Sequence, residues 1–274
     1  MPRDAVEDLE LRLLLEAIYQ RYGYDFREYA RSSIRRRVWR RVSEERLATI
    51  SGLQERLLHD PDCMERLLID LSVSVTSMFR DPTFFLALRR KVVPILRTYP
   101  FVRVWNAGCS SGEETLSLAI LLREEGLGDR VRLYATDINA EVIGRARRMV
   151  FPLKRMRQYT ENYIASGGRS AFSDYYKTFG DVVQFSPDLA DNIVFAQHNL
   201  VSDADFNEFH LIICRNVMIY FDRPLQDKVI GLLHRSLIRF GVLALGQKES
   251  LRFSSHESDF DELDGHEKIY RRNH

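Results

Sequence analysis

The sequence predicts an α/β protein: a mostly parallel sheet covered by helices, preceded by an all-helical part and interrupted by a small β-containing insertion. Three observations carry this. From Phe101 onward, short β-prone runs alternate with helical ones. Before it, apolar residues recur at helical spacing with no convincing strand. A polar, tyrosine-rich stretch at about 150–192 breaks the alternation. The boundaries read as 1–95 for the helical part and 96–274 for the sheet domain.

In the first part, Leu9, Leu13, Ile18 and Tyr22 trace one helix, and Gly23 is its expected stop. A second helix is expected from about Asp25 to Val42, with Phe26, Tyr29, Ile34, Val38 and Val42 as its apolar stripe. Further helices are expected near Ser51–His59 and Cys63–Leu71. Asp81-Pro82 reads as an N-cap and first-turn proline for a helix running to about Leu96.

In the second part, Val102–Trp105 reads as a strand, followed by a glycine turn and the helical run Glu113–Glu124. Val131–Ala135 is a second strand and Asn139–Arg148 a second helix. Phe209–Cys214 (strand), Pro224–Arg239 (helix), Val242–Leu245 (strand) and Lys268–Arg271 (strand) follow. Asp181–Phe185 and Ile193–Ala196 are the short β-prone pieces attributed to the insertion. Such alternation implies a parallel sheet buried on both faces.

Composition narrows the class. A chain of 274 residues with 45% hydrophobic and 29% charged residues fits a folded globular protein, not a disordered or fibrous one. No apolar run is long enough to span a bilayer, and Met1-Pro2-Arg3-Asp4 lacks a following apolar segment, so neither direct membrane insertion nor a secretory signal is expected. Cys63, Cys109 and Cys214 are odd in number, far apart and without a CxxC pair. A reducing cytoplasm is the expected location, and neither a disulfide framework nor a metal site is expected. No HExxH-type cluster occurs among the histidines. No coiled-coil pattern stands out, so a monomer is the default expectation.

Net charge is +1, but the stretch from Arg31 to Arg41 holds six arginines, whereas the last quarter carries acidic clusters. Arg35, Arg36, Arg37, Arg40 and Arg41 therefore define an expected basic docking face. Nucleic acid is not the expected partner, because the rest of the chain is neutral to acidic and shows no RNA-binding motif.

Three elements point to a ligand. The first strand runs into Trp105-Asn106-Ala107-Gly108-Cys109-Ser110-Ser111-Gly112-Glu113-Glu114, whose small residues let a ligand approach backbone near a helix N-terminus. It is not GxGxxG, and its paired glutamates would repel a pyrophosphate, so a neutral or cationic nucleoside fits better. The second strand ends at Asp137, a residue type that accepts hydrogen bonds from ribose hydroxyls. Alone, the loop reads as a tight turn and Asp137 as the cap of the next helix; together, at neighbouring strand tips, they read as a cofactor site. The third element is Cys214-Arg215-Asn216-Val217-Met218-Ile219-Tyr220-Phe221, where a buried strand meets polar residues and then apolar ones. Arg215 and Asn216 there serve either a ligand or the turn itself.

At this point the sequence resembles the CheR family of chemoreceptor glutamate methyltransferases. The matching pieces, in order, are Val75–Asp81, Gly108–Glu114, Thr136-Asp137-Ile138, Asn199-Leu200 and Cys214–Phe221. The resemblance implies a Rossmann-like methyltransferase domain with S-adenosyl-L-methionine as cofactor and S-adenosyl-L-homocysteine as product. It implies that Ser74, Thr76, Arg80, Gly108, Glu114, Asp137, Asn199, Leu200, Arg215 and Asn216 line the cofactor pocket, and that Arg80 and Tyr220 lie closest to the methyl group. Departures include Ser74 where the family often has Asn, Met78 for an aromatic residue, and Thr115-Leu116 for Pro-Tyr.

The implied reaction is methyl-ester formation on glutamate side chains of chemoreceptors, with their acidic helical cytoplasmic region as partner. The stretch Tyr176–Phe185 is short and has one glycine, so binding of a receptor pentapeptide tether is not expected. Two rival readings stay open: a methyltransferase acting on another protein or on RNA, and a cofactor-sensing signalling module with little catalysis.

Overall fold

The computed structural model describes residues 3–71 and 76–273. Ser74 therefore lies outside the described residues. The chain divides into two compact units: residues 1–73 with 220–229, and residues 74–219 with 230–274.

The first unit is helical. Its helices are α1 (Arg3–Tyr22), α2 (Arg31–Glu44), α3 (Ile50–His59) and α4 (Pro61–Leu71). Leu14, Ile18, Ile34, Val38, Leu53 and Leu67 are among the side chains they bury. Gly23 sits at φ +75°, the left-handed conformation that ends α1. Thr49 caps α3 by accepting the Gly52 N–H. The second helix starts later than its apolar stripe suggests. Phe26, Tyr29 and Phe221 instead form an edge-to-face aromatic row, with Tyr29 bridged to Phe221 and the Ala30 N–H donated to the Tyr220 carbonyl.

The second unit opens with α5 (Pro82–Ala87), a π-helical turn (Leu88–Val92) and α6 (Val93–Leu96). The expected single helix is widened at the π-turn just ahead of Pro94, which has no N–H to donate to the preceding turn. Strands β1 (Val102–Ala107), β2 (Val131–Asp137), β3 (Val150–Pro152), β4 (Tyr176–Phe179), β5 (Val182–Phe185), β6 (Ile193–Gln197), β7 (Phe209–Cys214), β8 (Leu237–Leu245), β9 (Phe260–Asp264) and β10 (Ile269–Arg272) follow. Interleaved are α7 (Glu113–Glu124), α8 (Ala140–Arg148) and α9 (Met156–Ala165), and α10 (Arg223–Arg235), which begins in the first unit and ends in the second.

Among the described residues, seven strands form one sheet in the order β6-β2-β1-β7-β8-β10-β9. The five from β6 to β8 are parallel, whereas β10 and β9 run antiparallel to their neighbours. The parallel strands are nearly continuous apolar runs because both faces are covered. Strand order reverses between β1 and β7, and the crevice beyond the carboxyl ends there is where such sheets bind ligands.

Two expectations for the main sheet also change. Ile193–Gln197 is not part of the insertion but the parallel edge strand of the main sheet, with Leu133 paired to Ile193. Its short β-branched run gave no sign of which sheet it joins. The helix expected to reach Arg239 stops at Arg235, and β8 starts at Leu237. Phe240 there adopts φ +64°, and a Cβ on Gly241 would lie 2.9 Å from the Ile238 carbonyl oxygen, so a bulge replaces the helix end.

The insertion itself is a three-stranded antiparallel sheet, β3-β5-β4, with α9. Phe151, Tyr159, Tyr163, Phe172 and Phe185 pack as an aromatic cluster within it. Asn162 of α9 donates to the Met78 carbonyl at 2.9 Å, and Tyr163 lies edge-on to Phe79. The insertion thus fixes the backbone that leads into Arg80.

Candidate active site

The ends of β1, β2, β6, β7 and β8 deliver the chemistry-bearing residues to one edge of the sheet. Gly108, directly after β1, has φ +77°, and a Cβ there would lie 2.4 Å from Val217 Cγ2. Only glycine fits that crossing. The N–H groups of Gly108 and Cys109 both donate to the Thr136 carbonyl, which locks the loop against β2. Gly112, at φ +93°, precedes α7, where a Cβ would lie 2.8 Å from Ala146 Cβ.

Asp137, at the tip of β2, accepts the Ser110 N–H at 2.9 Å and the Asn139 N–H at 3.1 Å. Asn139, not Asp137, caps α8, accepting from Glu141 and Val142. Burial pushes the Asp137 carboxyl above the usual carboxylate range, against the pull of the backbone N–H groups of Asn139, Ser110 and Ile138. Beside it, the Ser110 hydroxyl is buried without a partner. After β6, His198 N–H donates to the Asp137 carbonyl, Asn199 turns the chain by accepting the Val201 N–H, and Leu200 is buried.

Glu114 lies in the first turn of α7, yet its carboxylate faces inward. Oε1 accepts Asn106 Nδ2 at 2.8 Å, and Oε2 pairs with Arg215 Nη1 at 2.8 Å. Asn106 Oδ1 in turn accepts Thr115 Oγ1 at 2.7 Å. Arg215 also reaches Asp81 Oδ2 at 2.7 Å and lies 3.9 Å over the Phe84 ring. Both Nη atoms of Arg215 are thus engaged by protein carboxylates, and its side chain is 1% exposed. Asp81 spends its carboxylate on Arg215 instead of capping α5, which has no side-chain cap.

Arg80 is half-buried and stands between two residues of left-handed backbone, Phe79 at φ +48° and Asp81 at φ +57°. For non-glycine residues this conformation costs on the order of 1–3 kcal/mol each. Buried packing of Phe79 and its N–H bond to Ser117 Oγ at 2.8 Å hold the turn on one side, and the Asp81–Arg215 pair holds it on the other. Thr76, upstream, is half-buried.

Asn216 has φ +60°, and its N–H donates to Glu249 Oε2 at 2.8 Å. The same carboxylate accepts the N–H groups of Val217, Met218 and Gly246 at 2.9, 2.7 and 2.6 Å. Burial raises the Glu249 carboxyl even so. Glu249, Asn106 and Asp81 were missed as site residues. Asp81 and Glu249 act on partners far away in sequence, Arg215 and the 216–218 turn, and Asn106 acts across the strand-to-helix turn on Glu114 and Thr115, so no local spacing marks them.

The remaining sequence-predicted residues lie in the helical unit. The guanidinium of Arg37 sits 4.6 Å over the ring of Tyr220 and donates to the Leu71 carbonyl. Burial lowers its pKa. Arg41 is likewise buried and bonds Asp70 at 2.7 Å. Arg35 pairs with Glu7 and Asp8, and Arg40 with Glu44. The five arginines therefore do not form one open face: Arg36 and Arg40 are exposed, Arg35 is partly covered, and Arg37 and Arg41 are packed inside.

Two loop glycines with no room for a Cβ, an acceptor at the second strand tip and the buried, unpartnered Ser110 hydroxyl suit a neutral or cationic nucleoside. Strand order and site together define an S-adenosyl-L-methionine-binding methyltransferase fold. The chain belongs to the CheR methyltransferase family: residues 74–269 match its SAM binding domain and residues 9–72 its all-alpha domain. A Pseudomonas putida protein called Cher3, described only provisionally as a methyltransferase, is 49% identical over 266 residues, 97% of either chain. The chemotaxis protein methyltransferase of Listeria innocua is 30% identical over 232 residues, 84% of this chain and 85% of that one. The N-methyltransferase NodS of Bradyrhizobium japonicum, solved with S-adenosyl-L-homocysteine, aligns over 71% of this chain and 70% of its own at 17% identity and a TM-score of 0.35. Among the described residues, no helix is long and apolar enough to cross a membrane.

Proposed function

We propose that this protein methyl-esterifies glutamate side chains in the acidic helical cytoplasmic region of chemoreceptors. The observation that carries the reading is the turn at Arg80. Two non-glycine residues in left-handed backbone, each braced by buried partners, flank Arg80 beside the Asp81–Arg215 pair. Strain of this kind is retained where a side chain must be aimed.

S-adenosyl-L-methionine supplies an electrophilic methyl group on a sulfonium. Thr76, Gly108, Asp137, Asn199, Leu200 and Asn216 would hold it, Asp137 as ribose acceptor; Ser74 belongs to the same proposed set. Glu114 and Arg215, tied to each other by an ion pair, belong to the same proposed set. A glutamate is already ionised near neutral pH, so no strong general base is needed. Rate then comes from orientation and fixed charge, with Arg80 gripping the incoming carboxylate bidentately. Because the arginine also stabilises the ground state, alignment has to provide the gain.

Exposed Arg36 and Arg40, with Arg35, would meet the acidic receptor helix and steer association. The β4–β5 connection is a tight turn around Gly180, which supports substrate binding without a pentapeptide tether.

The test begins with calorimetric titration of wild type and Asp137→Ala with S-adenosyl-L-methionine and S-adenosyl-L-homocysteine. It continues with methyl transfer from radiolabelled cofactor to a receptor cytoplasmic fragment. Binding lost in the variant, with base-labile label on the fragment, is the expected result. Base-stable label on RNA or another protein, or cofactor binding with no transfer to any receptor, would overturn the substrate assignment.

A further inference from the structure

We propose that His234, His256 and Asp259 form a binding site for a first-row transition ion of the zinc class. The three are distant from the cofactor-site residues. His234 is in the last turn of α10, just before the start of β8, whereas Asn216 and Glu249 lie beyond its far end.

The fold brings one ligand atom from each residue within 4.8 Å of the others. Asp259 Oδ2 lies 2.8 Å from His256 Nδ1 and 3.6 Å from His234 Nε2. A tetrahedral ion with metal–ligand bonds of about 2.0–2.1 Å sets its ligands roughly 3.3 Å apart, between those two values. The donor set of two imidazoles and one carboxylate suits borderline ions such as Zn²⁺ over Mg²⁺ or Ca²⁺, which prefer oxygen. All three side chains are partly exposed, which leaves room for water at the fourth position.

The surroundings hold the ligands in place. The imidazoles of His234 and His256 stack, with centroids 4.5 Å apart and planes 19° apart. Phe260 lies edge-on to His234. Arg272 donates to the His234 carbonyl at 3.0 Å, and Asn273 N–H donates to the Asp259 carbonyl at 3.0 Å. An ion here would staple the end of α10 to the segment that follows β8, which also carries Glu249. The bound ion would thus brace the turn that holds Asn216.

The experiment uses the full chain without a histidine tag, stripped with chelator. Zn²⁺ is titrated calorimetrically, and Co²⁺ is followed by its visible absorption. Wild type, His256→Ala, His234→Gln and Asp259→Asn are compared, with circular dichroism to verify folding. The expected result is one ion per chain, a tetrahedral-type Co²⁺ band, and an affinity at least about tenfold weaker in each variant. His234→Gln keeps a polar side chain at the helix end, so a folding failure of His256→Ala leaves the comparison intact. Absence of Zn²⁺ binding by wild type, or binding that survives all three substitutions, overturns the proposal.

Discussion

Arg215 and Glu114 form a buried ion pair, Nη1 to Oε2 at 2.8 Å, which joins the loop after β7 to the first turn of α7. Asp81 completes the set from the segment after Arg80. Removing the arginine alone strands the Glu114 carboxylate in a poorly solvated place and leaves the partly exposed Asp81 without its partner. Arg215→Met should therefore cost about 3–5 kcal/mol in urea denaturation. The double variant with Glu114→Gln should recover part of that loss, because one stranded charge is gone.

Glu249 makes no direct claim on a ligand, yet it satisfies four backbone N–H groups at the ends of β7 and β8. Glu249→Gln points amide hydrogens at donors. Each unsatisfied buried donor costs about 1–3 kcal/mol, so a net loss near 3 kcal/mol is expected by denaturant melt. Cofactor affinity should fall with it. If affinity is unchanged in folded protein, Asn216 does not depend on this clamp.

Gly108→Ala should abolish cofactor binding by driving Val217 out of place, since Cβ and Cγ2 would be 2.4 Å apart. Adding Val217→Ala removes the clash but not the left-handed backbone cost of roughly 1 kcal/mol. Partial rescue in the double variant, read by calorimetry, is the expected pattern. Full rescue would show that sterics alone mattered.

The raised pKa of Asp137 has a sign that opposes its proposed role as an ionised ribose acceptor. Between its unfolded and folded values the native state holds more protons than the unfolded chain, so stability falls as pH rises through that window. Asp137→Asn removes this penalty. The variant should show a shallower slope across the acidic window, at the cost of an amide NH2 turned toward the backbone N–H of Ser110 or Asn139, while cofactor binding weakens about tenfold or more through loss of charged hydrogen bonds. Melts from about pH 3 to about pH 8 check both halves.

Within α2, burial separates two roles. Arg36→Glu with Arg40→Glu should leave the melting curve within about 0.5 kcal/mol. The same change should lower kcat/KM on a receptor fragment most strongly at low salt. Arg41→Ala, by contrast, breaks a buried pair with Asp70 and should destabilise the helical unit by about 3–5 kcal/mol.

Much of this was legible in the sequence because periodicity and turn chemistry are local. The strand tips at Gly108 and Asp137, and the alternation after Phe101, needed no long-range information. What escaped was decided by distant partners. Arg37 and Arg41 look like surface charges until Tyr220, Leu71 and Asp70 fold over them. Asp81 reads as a cap until Arg215 claims its carboxylate. Ile193–Gln197 reads as insertion until β2 takes it as an edge. The left-handed residues around Arg80 are invisible in composition, since phenylalanine and aspartate carry no signal for that conformation comparable to glycine's.

All three cysteines are buried as free thiols, and burial raises each pKa. In the native protein they are poor nucleophiles shielded from reagent, so alkylation must wait for an opening event. Cys63 belongs to the helical unit, whereas Cys109 and Cys214 belong to the sheet unit. Pulsed labelling with an alkylating reagent, read peptide by peptide in a mass spectrometer, would therefore time the opening of each unit separately. The chain carries its own clock for which half lets go first.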